Sequence, residues 1–367
     1  MPRLTALAAT LPDTVPFVGP ETQERARGRA FRARVGANES GFGPSPRVVA
    51  AMAEAAAEAW RYCDPDNFEL KASLARHLGV TAENVVVGEG IDGLLGLTVR
   101  LFAEPGAAVV TSLGAYPTFN FHVAGFGARL ITVPYRGDGE DLDALLIAAR
   151  REKAAIVYVS NPDNPMGSWH GAGEIERFAD ALPEDTLLVL DEAYGETAPD
   201  GTLPPMLPLR PNVLRYRTFS KAYGLAGLRC GYVVGEASLV RAFDKVRNHF
   251  GVNRMAQVAG LAALADHDYL DKVVAQVDAA RRRIAVIAAA NGLRPLPSAT
   301  NFVTIDCGAD GAFALKVLQQ LVARDVFVRK PMAPGLDRCI RVSAAPEAEL
   351  AIFAAELPAA LAAARTA

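Results

Sequence analysis

Hydrophobic residues along this chain fall into short unbroken runs, separated by segments of helical period. Runs rich in β-branched residues recur at 84–88, 107–111, 129–133, 155–160, 186–191, 213–219 and 229–234. Most are near-continuously apolar, the pattern of strands covered on both faces. Between several of them, as at 92–102 and 141–150, apolar positions stand three and four apart, so strands alternating with helical crossovers are predicted. Earlier, Ser45 and Pro46 offer a side-chain cap and a first-turn proline. Val48, Val49, Met52, Ala56 and Trp60 follow at helical spacing, which predicts a helix over 45–62 with these residues on one buried face. A large α/β domain over roughly 60–250 follows from the alternation. The last third reads differently, with a long amphipathic helix at 270–291, a strand at 301–306, a helix at 312–324, a strand at 326–329 and an alanine-rich terminal helix. That mixture suits a smaller α+β domain. No internal repeat, charge block or low-complexity linker stands between the two, so close packing is expected.

Composition narrows the class. With 367 residues, 51% hydrophobic and 22% charged, the chain can build a core that needs neither disulfides nor a structural metal. Its 38 basic residues against 41 acidic ones give a net charge of −3, without the basic excess that a nucleic-acid backbone requires. Cys63, Cys230, Cys307 and Cys339 form no Cys-x-x-Cys pair and read as reduced thiols of a cytoplasmic protein. Residues 1–12 lack the apolar stretch of a secretory signal, so the mature chain is expected to start near Met1. Glu54 and Glu58 interrupt the alanine-rich stretch at 50–59 well short of a membrane span. The five histidines, His77, His122, His170, His249 and His267, have no metal-ligand spacing with the cysteines; no metal is expected and a metal hydrolase is disfavoured.

The chemistry is concentrated at the ends of apolar runs. In the stretch 217–231 a strand leads into a glycine-containing turn holding Ser220, Lys221 and Arg229. A lysine beside other cations and partly out of water is pushed towards the neutral amine, the form that attacks a carbonyl. Asp191 ends the run 187–191, where a carboxylate points into the crevice at which α/β folds bind ligands. It reads either as a helix cap or as an anion that keeps a pyridine nitrogen protonated. The segment 160–167 carries two Asn-Pro steps, a turn by itself, and contains Asn164.

The order Asn164, Asp191, Lys221 resembles that of fold-type I aminotransferases (class I/II) that use pyridoxal 5′-phosphate (PLP), most of all histidinol-phosphate aminotransferase and its relatives. The resemblance spans nearly the whole chain, from 38–46 through 62–70 to 340–343. It implies an N-terminal arm and part of a small domain over 1–55, a large PLP-binding domain with a mostly parallel sheet over 56–255, and a C-terminal small domain over 256–367. It makes Lys221 the lysine that holds the cofactor covalently, Asp191 the partner of the ring nitrogen, Asn164 and Tyr194 the partners of the ring oxygen, and Tyr116 the aromatic stacked on the ring. The cofactor phosphate falls to the amides of Ile91 and Asp92, to Ser220 and Arg229, and to Tyr62 from a neighbouring subunit of a homodimer, whose segment 38–42 is also expected to enter the cleft. Arg341 matches the arginine that grips the substrate carboxylate, and Asn301, Arg329 and Phe42 match substrate-pocket positions.

Three departures bear on substrate choice. Met166 stands where threonine is usual, Gly93 follows Asp92 where an acid is common, and 249–253 replaces a Pro-Tyr/Phe-Asn stretch. The first two are expected to be tolerated; 249–253, like 40–42, is expected to shape the side-chain pocket. The implied reaction is transamination of an L-amino acid or amino-alcohol phosphate with a 2-oxo acid. A general or aromatic aminotransferase and an amino-acid phosphate decarboxylase are the alternatives. A PLP-binding regulator would need a DNA-binding module, and nothing before Phe42 resembles a basic winged helix.

Overall fold

All seven apolar runs become strands of one sheet. The structure, a computed structural model, describes residues 2–13 and 18–366; Met1, where the mature chain is expected to start, lies outside them. The strands of the described residues are β1 (Ala33–Arg34), β2 (Val85–Gly88), β3 (Ala108–Ser112), β4 (Arg129–Val133), β5 (Ile156–Ser160), β6 (Leu187–Asp191), β7 (Val213–Thr218), β8 (Gly231–Val234), β9 (Arg294–Pro295), β10 (Phe302–Asp306), β11 (Val326–Phe327) and β12 (Cys339–Ser343). The central sheet has the order β2-β8-β7-β6-β5-β3-β4 and is parallel except for β8, which runs antiparallel to both neighbours. Strands β3, β5 and β6 are buried at every position. Alternate residues serve opposite faces. Ile156 and Tyr158 join one apolar cluster with helices Gly90–Phe102 and Pro117–Gly125, whereas Val157 and Val159 join another with Leu142–Glu152 and Ala172–Ala181.

Edge strand β4 departs from the two-faced pattern, with only Val133 buried, whereas β2 at the other edge is buried at Val85, Val86 and Val87. The run expected at 229–234 begins as a strand only at Gly231, since Arg229 takes a left-handed backbone (φ 54°) after a short 3-10 turn. The helix expected over 45–62 spans Pro46–Ala55, capped by Ser45 Oγ, and continues as a 3-10 turn to Glu58. Its predicted face is corrected too. Val48 is buried, but Val49, one step or about 100° further round the helix, is 50% exposed, and Trp60, beyond the helix, is 76% exposed.

The smaller layer is built from β9, β10 and β12, from β1 paired in parallel with β11, and from helices His267–Ala290, Gly311–Ala323 and Glu347–Thr366. Its core joins Val35, Val277, Ile284, Val317, Leu321, Ile340 and Phe353. The N-terminal segment is tied to this layer by Ser343 N–H donating to Val35 O (2.7 Å) and Asn38 N–H donating to Ser343 Oγ (2.9 Å). Asn38 is thereby carried to the sheet's edge of greatest chemical interest. All four cysteines are buried and unbonded to one another.

Candidate active site

The sheet's order reverses at β3, where β4 is added on one side and β5 on the other. In open α/β sheets the crevice forms beyond the carboxyl ends of strands at such a reversal. Here a cleft of about 290 Å³ opens there, lined by Ile91, Asp92, Tyr116, Asn164, Asp191, Tyr194, Ser220, Lys221 and Arg229. Nine residues singled out from the sequence are thus brought to one place.

Lys221 follows β7 on a turn closed by Gly224 N–H to Lys221 O (3.0 Å) and Leu225 N–H to Phe219 O (2.9 Å). Gly224 has φ +72°, and a Cβ there would stand 2.6 Å from the Gly43 carbonyl oxygen, so only glycine fits. The Lys221 ammonium donates to Asn38 O (3.1 Å) and lies 5.4 Å from the Tyr194 ring centre. Burial, then the cations of Arg341 and Arg229, lower its pKa to about 8.

Asp191, at the end of β6, is buried. Its Oδ2 accepts the Tyr158 hydroxyl (2.6 Å) and its Oδ1 the Ala193 N–H (2.9 Å). Burial pushes the carboxyl up, while those two donors and Lys221 pull it back. The next residue, Glu192, is wholly buried and accepts from Arg215 (2.7 Å) and Arg217 (2.9 Å), two cations that a buried strand could not otherwise hold.

At the other end of the cleft, helix Gly90–Phe102 starts without a side-chain cap, leaving its first N–H groups available at the positive end of the helix dipole. Ser220 Oγ accepts from Arg229 Nη1 (3.4 Å) beside it. Gly90 (φ +74°) permits this approach, since a Cβ would stand 2.5 Å from Arg229 Nη2. Helix start, hydroxyl and guanidinium together make a pocket for an anion. Tyr116, directly before the helix Pro117–Gly125, forms a wall.

Arg341 on β12 donates to Asn164 Oδ1 and sits 5.0 Å from the Phe302 ring centre. Arg329 and Arg341 exchange main-chain bonds (3.2 and 2.6 Å) as an antiparallel pair, so their side chains share a face. Arg329 donates to Val18 O, and burial followed by Arg341 lowers its pKa to about 10. Asn301 donates to Asn38 O (3.0 Å), while its Oδ1 and Arg341 Nε are buried with no partner among the described residues.

Residues 34–357 match the family described as aminotransferase class I and II. The chain belongs to that family. It is 37% identical over 336 residues to histidinol-phosphate aminotransferase 1 of Nitrosococcus oceani, covering 91% of this chain and 90% of the relative. It is 41% identical over 281 residues to an aromatic amino acid aminotransferase of Thermobifida fusca, covering 76% and 78%. The crystal structure of histidinol-phosphate aminotransferase from Sinorhizobium meliloti in complex with pyridoxal-5′-phosphate superposes with a TM-score of 0.96 at 56% identity, covering 99% of this chain and 98% of that one. Enzymes of the family are PLP-dependent, and this chain is an aminotransferase.

Some expected residues of the aminotransferase lie outside the cleft of the single chain. Tyr62 is 81% exposed with its ring 4.8 Å from that of Phe250. Phe42 packs on the core of the smaller layer. The segment 249–253 does not line the cleft, and Asn253 caps helix Arg254–Leu264. Met166 is buried among Leu296, Leu336 and Cys339, and only its N–H, donated to Asp163 Oδ2 (3.0 Å), serves the turn. The segment 38–42, expected in a neighbour's cleft, instead enters the cleft of its own chain, where Asn38 brings its carbonyl to Lys221 and its Nδ2 to Tyr194 Oη (3.1 Å). One contributor was missed. Tyr158 carries the one polar tip in the otherwise apolar centre of 156–159, a signal that it must meet a partner inside.

Proposed function

We propose that this aminotransferase takes the amino group of histidinol phosphate, or of a closely similar amino-alcohol phosphate, and passes it to a 2-oxo acid, as a cytoplasmic homodimer. The donor set fits PLP: an uncapped helix start with Ser220 and Arg229 for a phosphate, a buried carboxylate for a basic ring nitrogen, and an amine of lowered pKa between them. When bound, PLP supplies the sink for the electrons of the Cα–H bond. Lys221 Nζ would hold it, and the same amine, of lowered pKa, would take and return the substrate's Cα proton. Asp191 sustains the charge on the ring nitrogen. Asn164 Nδ2 and Tyr194 Oη would hold the ring oxygen, Tyr116 would cover the ring, and the amides of Ile91 and Asp92 would hold the phosphate with Tyr62 of a second subunit. Asn301 and Phe42 border the substrate.

One observation carries the substrate reading: two arginines, Arg329 and Arg341, stand opposite each other on one face. Two guanidinium groups so placed suit a dianion better than either would alone. An amino-alcohol phosphate has no α-carboxylate, so its dianionic phosphate is the group that meets both, and the carboxylate of the 2-oxo acid meets Arg341. The names of the relatives support this donor, and the buried unpartnered Nε of Arg341 supports a ligand there. An aromatic aminotransferase is the second reading, supported by the Thermobifida relative.

The test compares kcat/KM for histidinol phosphate, phenylalanine and tyrosine with 2-oxoglutarate, in wild type and in Arg329→Leu. The expected result is a wild-type preference for the phosphate and a loss of about 2 kcal/mol or more in the variant for that donor alone. Equal losses for all donors would select the aromatic reading.

A further inference from the structure

The carboxylate of Asp191 is enclosed with three kinds of neighbour. Lys221 and Ala193 N–H favour its ionised form, whereas burial and the acids Glu192 and Glu140 oppose it. The phenols of Tyr116, Tyr194 and Tyr216 also face it and stay protonated. Tyr158 alone among the tyrosines donates its hydroxyl to Asp191, to Oδ2 at 2.6 Å. Its ring is wholly buried, stacked on Phe119 with centroids 4.5 Å apart and planes 19° apart, and its carbonyl accepts from Thr111 Oγ1 (3.1 Å). The hydroxyl therefore has little freedom to turn elsewhere. Burial, Asp191 and Glu140 all resist ionisation of this phenol, so it remains a donor throughout the working pH range.

We infer that Tyr158 is a positioning residue for the transamination, fixing Asp191 as an oriented anion and thereby setting the protonation of the cofactor's ring nitrogen. This rests on the reading of Asp191 given above. Donation to a carboxylate stabilises its charged form, so removal of the hydroxyl raises the pKa of Asp191 and leaves less charge at the ring nitrogen. The cofactor itself stays bound, because its phosphate pocket lies on other elements.

The test uses Tyr158→Phe in the holoenzyme, which keeps the ring stacked on Phe119. The expected outcome is PLP affinity within a few-fold of wild type and a ¹⁵N resonance of labelled PLP displaced from the pyridinium position. With it go a kcat lowered about ten- to a hundredfold at nearly constant KM, and an acid limb of kcat moved up by about one to two pH units. In an Asp191→Asn background the same change should add nothing. An unmoved ¹⁵N resonance and pH limb in Tyr158→Phe, or a loss that persists undiminished in the Asp191→Asn background, would overturn the role of Tyr158. If Asp191→Asn itself leaves the ¹⁵N resonance in place, it is the reading of Asp191 that fails. Should Tyr158→Phe not fold, 3-fluorotyrosine at position 158 decides: a stronger donor of nearly the same shape moves the acid limb down, and an unmoved limb refutes the inference.

Discussion

Lys221 shows how much of a side chain's chemistry is written beside it and how much arrives from afar. Arg229, eight residues on, is a neighbouring cation that the sequence displays. Arg341, 120 residues away, presses the same amine down and acts more strongly. Only the neutral amine combines with PLP, so the rate at which apoprotein takes up the cofactor should rise with pH through a midpoint near 8. Arg341→Leu removes a cation that lowers this pKa, so the midpoint should move up. Stopped-flow measurement of the visible band across pH checks the sign; a downward shift would contradict it. Tyr158 and Asp191 make the same point through a hydrogen bond. Thirty-three residues separate them, and their bond exists only because β5 and β6 pair side by side.

At the scale of elements, the anion pocket depends on the turn between β2 and the helix Gly90–Phe102. Gly90 and Gly93 are three residues apart and look alike in the sequence, but their settings differ. Gly90 has a left-handed backbone and touches Arg229, whereas Gly93 lies within the helix, where a Cβ would meet Glu89 Cβ at 3.3 Å. Gly90→Ala should therefore cost about 1–2 kcal/mol in backbone strain, displace Arg229 and weaken PLP binding at least tenfold. Gly93→Ala should stay within about 0.5 kcal/mol of wild type or stabilise the helix. Thermal unfolding together with PLP titration of both apoproteins checks the contrast, and similar behaviour of the two would refute it. The crossover helices and buried strands were legible as periods of 3.6 and as apolar runs. The helix at 46–55 was legible as well, but its buried face was not, since which side meets a neighbour depends on helices such as Arg254–Leu264 far along the chain.

For the whole molecule, Tyr62 and Phe250, with ring centres 4.8 Å apart, are 81% and 50% exposed in the single chain, and Val49, Trp60 and Phe68 are also at least half exposed. The proposed homodimer puts Tyr62 into a second cleft. Light scattering should then give twice the chain mass. A complementation assay tests the shared site directly. Lys221→Ala and Tyr62→Ala homodimers each lack an intact cleft, while a hybrid of the two contains one, so mixing the unfolded and refolded variants should restore part of the activity. No restoration, or a fully active monomer, would rule out sharing.

By itself the sequence determined the alternation of strands and helices, because burial on two faces imposes an apolar run and burial on one imposes a helical period. Its ordered motifs also marked Asn164, Asp191 and Lys221 as chemistry at strand ends. Tertiary structure alone decided that Asn38 and Arg341 reach Lys221, that Tyr158 serves Asp191, and that Arg329 and Arg341 share a face. Most of these pairs join segments distant in the chain, and tertiary packing, not local preference, sets the few ångströms over which hydrogen bonds and charges act.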